Sequence, residues 1–179
     1  VWRVLILVVG LVPTQVLAQS APEPEGYRDA PYKGEVPAGL TGATTVDTDE
    51  AHRLWEEGQV IFIDAMPRDV RPPDLPEGTI WRDRPRDSIP GAVWLPNVGY
   101  SKLPPEDEAY FRAGLATVTE SDPSRPILFF CMEDCWMSWN AAKRATEMGY
   151  RSVYWYPGGT DGWAGAGHAT EPVEPLDPT

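Results

Sequence analysis

Four short apolar runs, residues 60–64 (VIFID), 92–96 (AVWLP), 126–130 (PILFF) and 152–156 (SVYWY), recur along the chain with helical patterns between them. Runs of this length without polar alternation suit strands buried on both faces. Strands alternating with helices require a largely parallel sheet with helices on both sides. The intervening segments agree. Residues 46–58 place Asp47 and Glu50 in capping-box spacing, put Ala51, Leu54 and Trp55 on one face, and stop at Gly58. Residues 104–115 gather prolines and acids at the end where the helix dipole favours them. Residues 138–149 set Trp139, Ala142, Ala145 and Met148 on one side and close at Gly149. A chain of 179 residues has room for one such α/β domain.

Both ends read differently. Residues 1–18 hold Arg3, an apolar run, Pro13 and then Val16, Leu17 and Ala18, the pattern of a secretory signal cleaved after Ala18. The apolar stretch is shorter than the roughly 20 residues of a spanning helix, so no stable membrane insertion is expected after cleavage. Residues 19–41, rich in Pro, Gly and charge, read as an extended arm with Tyr27 and Tyr32 as anchors. Residues 169–179 read as a disordered acidic tail, which leaves 42–168 as the domain. Removing residues 1–18 takes away one arginine and no acid, so the formal net charge of −12 becomes −13. A surface of that sign disfavours nucleic acid and anionic membranes as partners.

The two cysteines, Cys131 and Cys135, lie where the run 126–130 passes into the helix 138–149. In parallel sheets this is the ligand-binding edge, and the loop turns backbone N–H groups and a helix N-terminus inward. Cys131 is therefore expected to be the exposed, thiolate-like sulfur and Cys135 its resolving partner. A bridge enclosing three residues removes little unfolded-state entropy, so stability is a weak reason for the pair.

The quoted segments resemble the rhodanese superfamily over residues 42–166. FIDAMPRD (62–69) resembles its Asp-bearing strand end, with Asp64 and Arg68 in place. DSIPGAVWLP (87–96) resembles its His-Ile-Pro-Gly-Ala segment, with Ser88 at the His position. MGYRSVYWYPGGTDGW (148–163) resembles the stretch from the end of its last main helix through Gly158, Gly159, Asp161 and Trp163. The resemblance implies a three-layer fold and puts the family nucleophile at Cys131 and the family Ser at Ser138. Where ordinary members carry a loop-closing Arg, this chain has Met137. Cys-x3-Cys-Trp, with the leader and the arm, is similar to a narrower group of exported proteins associated with pyrroloquinoline quinone (PQQ) dependent catabolism. That similarity implies a periplasmic location and, as partner, a PQQ-dependent dehydrogenase or its electron-transfer or transport partners. It implies a pathway and no particular reaction.

Four chemistries fit the loop. Sulfur transfer would use a persulfide on Cys131, opposed by the charges of Glu133 and Asp134, with Arg68 as a substitute cation. A redox pair would use both thiols, with Trp136 as shield or docking surface. A soft-metal clamp would need Glu133, Asp134 or His168 beside the thiolates, and too few such ligands exist for a structural zinc site. A silent binding module would leave Trp94, Trp136, Trp139, Trp155 and Trp163 to fill the core and pocket rim. Asp64 is expected to orient the cysteine loop by accepting its N–H groups, and Asp161 to cap the turn and helix it opens. Ser88 and Ser138 have no His-Asp pair nearby in the sequence, which argues against a serine hydrolase. The expectation is thiol–disulfide or sulfane-sulfur chemistry at Cys131 and Cys135, supported by Asp64, Arg68, Glu133, Asp134, Trp136, Met137 and Ser138. No cofactor and no metal is expected. The alternative is a non-enzymatic accessory module for a quinoprotein dehydrogenase.

Overall fold

The computed structural model describes residues 20–69, 71–72, 74–82 and 84–177; the leader read at 1–18 lies outside them. Five parallel strands form the central sheet in the order β1-β6-β5-β2-β4. They are β1 (Thr44–Thr45), β2 (Ile61–Asp64), β4 (Val93–Trp94), β5 (Ile127–Phe130) and β6 (Val153–Trp155). A separate pair, β3 (Arg86–Ser88) and β7 (Glu171–Val173), runs antiparallel. Among the described residues there are four helices: α1 (Thr48–Glu57), α2 (Pro105–Thr119), α3 (Trp136–Glu147) and α4 (Gly159–Gly165).

Because side chains alternate across a strand, the central sheet feeds two cores. Ile63, Ile127, Phe129, Val153 and Trp155 face α2 and α3, meeting Phe111, Leu115, Trp139, Ala142 and Ala145. Phe62, Leu128 and Phe130 face the opposite layer, where Ala51 and Leu54 of α1 and Trp163 of α4 pack. The fold is thus three-layered α/β, as the apolar runs require. Asp47 caps α1 by accepting the Glu50 N–H at 2.9 Å, and Gly58 ends it in the left-handed region.

Three elements differ from the sequence expectation. α3 starts at Trp136, two residues before the expected helix, and α2 runs four residues further, to Thr119. The segment read as a disordered tail instead supplies β7, and beyond it the Leu176 N–H donates to the Trp94 carbonyl at 2.9 Å. Backbone pairing and the packing of Leu176 against the core hold this stretch. Among the described residues no helix is long and apolar enough to cross a membrane.

Candidate functional site

β5 and β2 are neighbours in the sheet, so their carboxyl ends bring Cys131 and Asp64 together. Cys131 follows Phe130 directly and is fully buried; Cys135 is 6% exposed and occupies the N-cap position of α3. Both are free thiols. Between them Asp134 adopts φ 53°, the left-handed turn that folds the loop back on itself. The Cys131 thiol has two sulfur acceptors, Met66 Sδ at 3.5 Å and Cys135 Sγ.

The acidities of the pair are split in the sense opposite to the sequence expectation. Cys135 is lowered to about 7, first by the hydrogen bond from Cys131 and then by the backbone N–H groups of Met137, Met132 and Ser138 around its sulfur. Burial pushes the Cys131 thiol well up, and the neighbouring Cys135 and Asp64 add to the rise. Negative charge is therefore easier to place on Cys135 than on Cys131. The strand-end position that suggested exposure for Cys131 is sealed by Met66, while the first turn of α3 opens onto Cys135.

Asp64 does not accept N–H groups from the cysteine loop, as expected, but from Met66 N at 2.9 Å, Arg86 Nε at 2.8 Å and Ser88 Oγ at 2.6 Å. Burial nevertheless pushes its carboxyl above the ordinary range. The link to the loop is Arg86, whose Nη2 donates to the Cys131 carbonyl at 3.1 Å. Thr160 donates to the same oxygen through its N–H at 3.0 Å and its hydroxyl at 3.2 Å. Arg86 is thus the guanidinium at the loop, the part the sequence reading assigned to Arg68. Arg68 lines a cleft of about 320 Å³ whose walls include Met66, Arg84, Arg86 and Trp94, and its N–H donates to Asn97 Oδ1. Arg86 and Ser88 sit two apart on β3, hence on one face, which is the sequence signal that would have found Arg86.

The remaining loop residues act through backbone and packing. The Glu133 N–H donates to Asp161 Oδ2 at 3.3 Å, so Asp161 ties α4 to the loop, and no side chain caps that helix. Met137 is buried with the cysteines. Its carbonyl lies so near Gly99 that an added Cβ there would sit 2.1 Å away, a contact only glycine avoids. Ser138 donates to the Cys135 carbonyl and accepts Trp155 Nε1, both at 3.1 Å.

The arm crosses this loop. Gly34 N donates to the Asp134 carbonyl at 2.9 Å and Trp136 N to the Tyr32 carbonyl at 2.8 Å, making an antiparallel bridge between Lys33 and Cys135. Lys33 Nζ donates to the Glu133 carbonyl, Trp136 Nε1 donates to the Glu35 carbonyl at 3.1 Å, and Arg28 stacks over the Trp136 ring. Trp136 is a buried anchor for the arm, which no pattern in the sequence indicated.

Solved structures share the architecture at low identity. EanB in complex with hercynine is 19% identical, with a TM-score of 0.51 over 79% of this chain and 34% of that one. A thiosulfate sulfurtransferase from Pseudomonas aeruginosa is 18% identical, with a TM-score of 0.49 over 74% of this chain. The present chain spans about a fifth of that protein, 21%. The human single-domain sulfurtransferase is 20% identical, with a TM-score of 0.40 over 69% of this chain and 96% of its own. Among curated proteins none matches. Residues 47–166, most of the chain and all of the cysteine site except the crossing arm, match the rhodanese-like domain, and the chain belongs to that family.

Proposed function

We propose that the chain handles sulfane sulfur with two thiols rather than one, Cys135 accepting and Cys131 resolving. The observation that carries this reading is the packing of the two thiols in one cluster with Cys135 at the N-cap of α3, whose first-turn N–H groups favour negative charge on Cys135. The Cys135 thiolate attacks the outer sulfur of a persulfide R–S–SH; the S–S bond breaks, R–S⁻ leaves, and Cys135 carries the persulfide. Cys131 then attacks the inner sulfur, the Cys135 Sγ, and the outer S–H departs with the electron pair as hydrosulfide while the Cys131 proton passes to solvent. Sulfane sulfur is reduced by two electrons and the dithiol is oxidised to the Cys131–Cys135 disulfide. An external dithiol restores it by exchange. Met137 offers no charge to thiosulfate, which makes persulfides the better donors.

The setting belongs to the same proposal: a periplasmic protein serving a PQQ-dependent oxidation system through its dehydrogenase or that enzyme's partners. The burial of both sulfurs beneath the arm favours a second reading, a non-enzymatic accessory module for such a system.

Metal-free reduced protein treated with one equivalent of a cysteine persulfide separates the two. The two-thiol route yields a bridged chain and one hydrosulfide, while Cys131→Ser stops one sulfur atom heavier, on Cys135, with no hydrosulfide released. Inert thiols would support the accessory module. Equal hydrosulfide release from Cys131→Ser would overturn the assignment of roles.

A further inference from the structure

The chain has two cysteines and four methionines. Both cysteines and three of the methionines, Met66, Met132 and Met137, pack into one buried cluster with Tyr32 and Tyr100. We infer that the reduced cluster binds copper(I), with Cys131, Cys135 and Met66 as ligands. This goes beyond the sulfur-handling reading, stands independently of it, and departs from the sequence expectation of no metal.

Three properties carry it. The donors are all soft: thiolate and thioether sulfur select copper(I), whereas imidazole and carboxylate favour other ions. The two histidines are stacked on each other beside Trp163, in a different cluster. Among the described residues no three His, Cys, Asp or Glu side chains gather, so the third donor is the thioether. The spacing also suits one ion. Sulfurs bound at about 2.3 Å stand about 4 Å apart in a trigonal site, and Cys131 Sγ is 3.5 Å from Met66 Sδ. A small outward movement of either side chain brings this pair to that spacing, and methionine is the side chain most able to make it.

Charge and burial are the third property. Asp64, Glu133 and Asp134 surround the loop against Arg86 and Lys33, a net negative environment even before the thiols ionise. Such a field attracts a cation. Cys131 is fully buried, and exclusion of water from the sulfurs favours the cuprous over the cupric state. Binding displaces the thiol protons, so affinity falls on acidification. The bridged form, having no thiolates, cannot bind.

The test is anaerobic titration of the reduced chain with copper(I) against bicinchoninate, followed by X-ray absorption at the copper edge. One ion per chain, withdrawn from the chelator, in a shell of three sulfurs is expected. Met66→Leu, a volume-conserving change, should reduce the shell to two sulfurs and weaken binding by about tenfold or more. The bridged chain should not compete at all. Failure to compete with the chelator, nitrogen or oxygen in the shell, equal binding by the bridged chain, or a Met66→Leu variant with unchanged shell and affinity would each overturn the site. Hydrosulfide release is measured without metal, so either result can fail while the other stands.

Discussion

Replacing Arg86 by Met tests whether the Asp64 carboxylate is held by its guanidinium. Asp64 is fully buried and the Arg86 side chain is 14% exposed, so the 2.8 Å ion pair between them is shielded from water. Removing one partner of a buried pair costs about 3–5 kcal/mol, because the other charge is left uncompensated. Ser88 Oγ and Met66 N remain as donors to Asp64, and the Cys131 carbonyl keeps both Thr160 donors, which argues for the lower figure. Losing the guanidinium raises further a carboxyl that burial has already raised. The folded carboxyl then titrates further above its unfolded value, so the penalty is absent at low pH and opens as the pH rises between the native and variant titrations. Urea unfolding should show a deficit of about 3 kcal/mol at pH 8, falling by at least half at pH 5. Adding Asp64→Asn should recover most of the loss at pH 8. An equal deficit at both pH values, or no recovery in the double variant, would refute the reasoning.

The split acidities make alkylation of Cys135 rise with a midpoint of about 7, with Cys131 silent there, and Cys131→Ala should move that midpoint up because the hydrogen bond from Cys131 is the largest cause of the depression. Peptide mapping of iodoacetamide-labelled chain across pH checks both. Gly34→Pro removes the N–H that donates to the Asp134 carbonyl and cannot adopt the φ of 150° that Gly34 holds; the arm should detach, and native-state labelling of Cys135 should rise by more than the roughly fivefold that one lost hydrogen bond of about 1 kcal/mol would give. An unchanged labelling rate would mean that the arm does not limit access.

The parts of the fold legible in the sequence were those with a continuous apolar signature. Phe62, Leu128, Phe129 and Phe130 can be satisfied only inside a sheet covered on both faces, and the helices around it carry caps and apolar stripes. β1 is two threonines recruited by β6, and β3 and β7 are polar strands that pair across more than eighty residues; neither has a local pattern to read. α4, with its three glycines, is held by the packing of Trp163 and not by propensity. The cysteine loop was legible because a strand end and a helix start bracket it. Arg86 lies among the arginines of residues 68–86, and only its two-residue spacing from Ser88 sets it apart in the sequence. The roles of the cysteines depend on which sulfur Met66 covers, and that is a property of the assembled sheet.

The bridge between Lys33 and Cys135 joins positions separated by about a hundred residues. Loop-closure entropy makes so distant a contact late to form, after the sheet that presents its partner is in place. During synthesis the arm emerges first and has nothing to pair with until the cysteine loop follows. The nascent and early-folded chain therefore carries two uncovered thiols. Its chemistry with oxidants and persulfides is fastest then, before the arm closes over the pair.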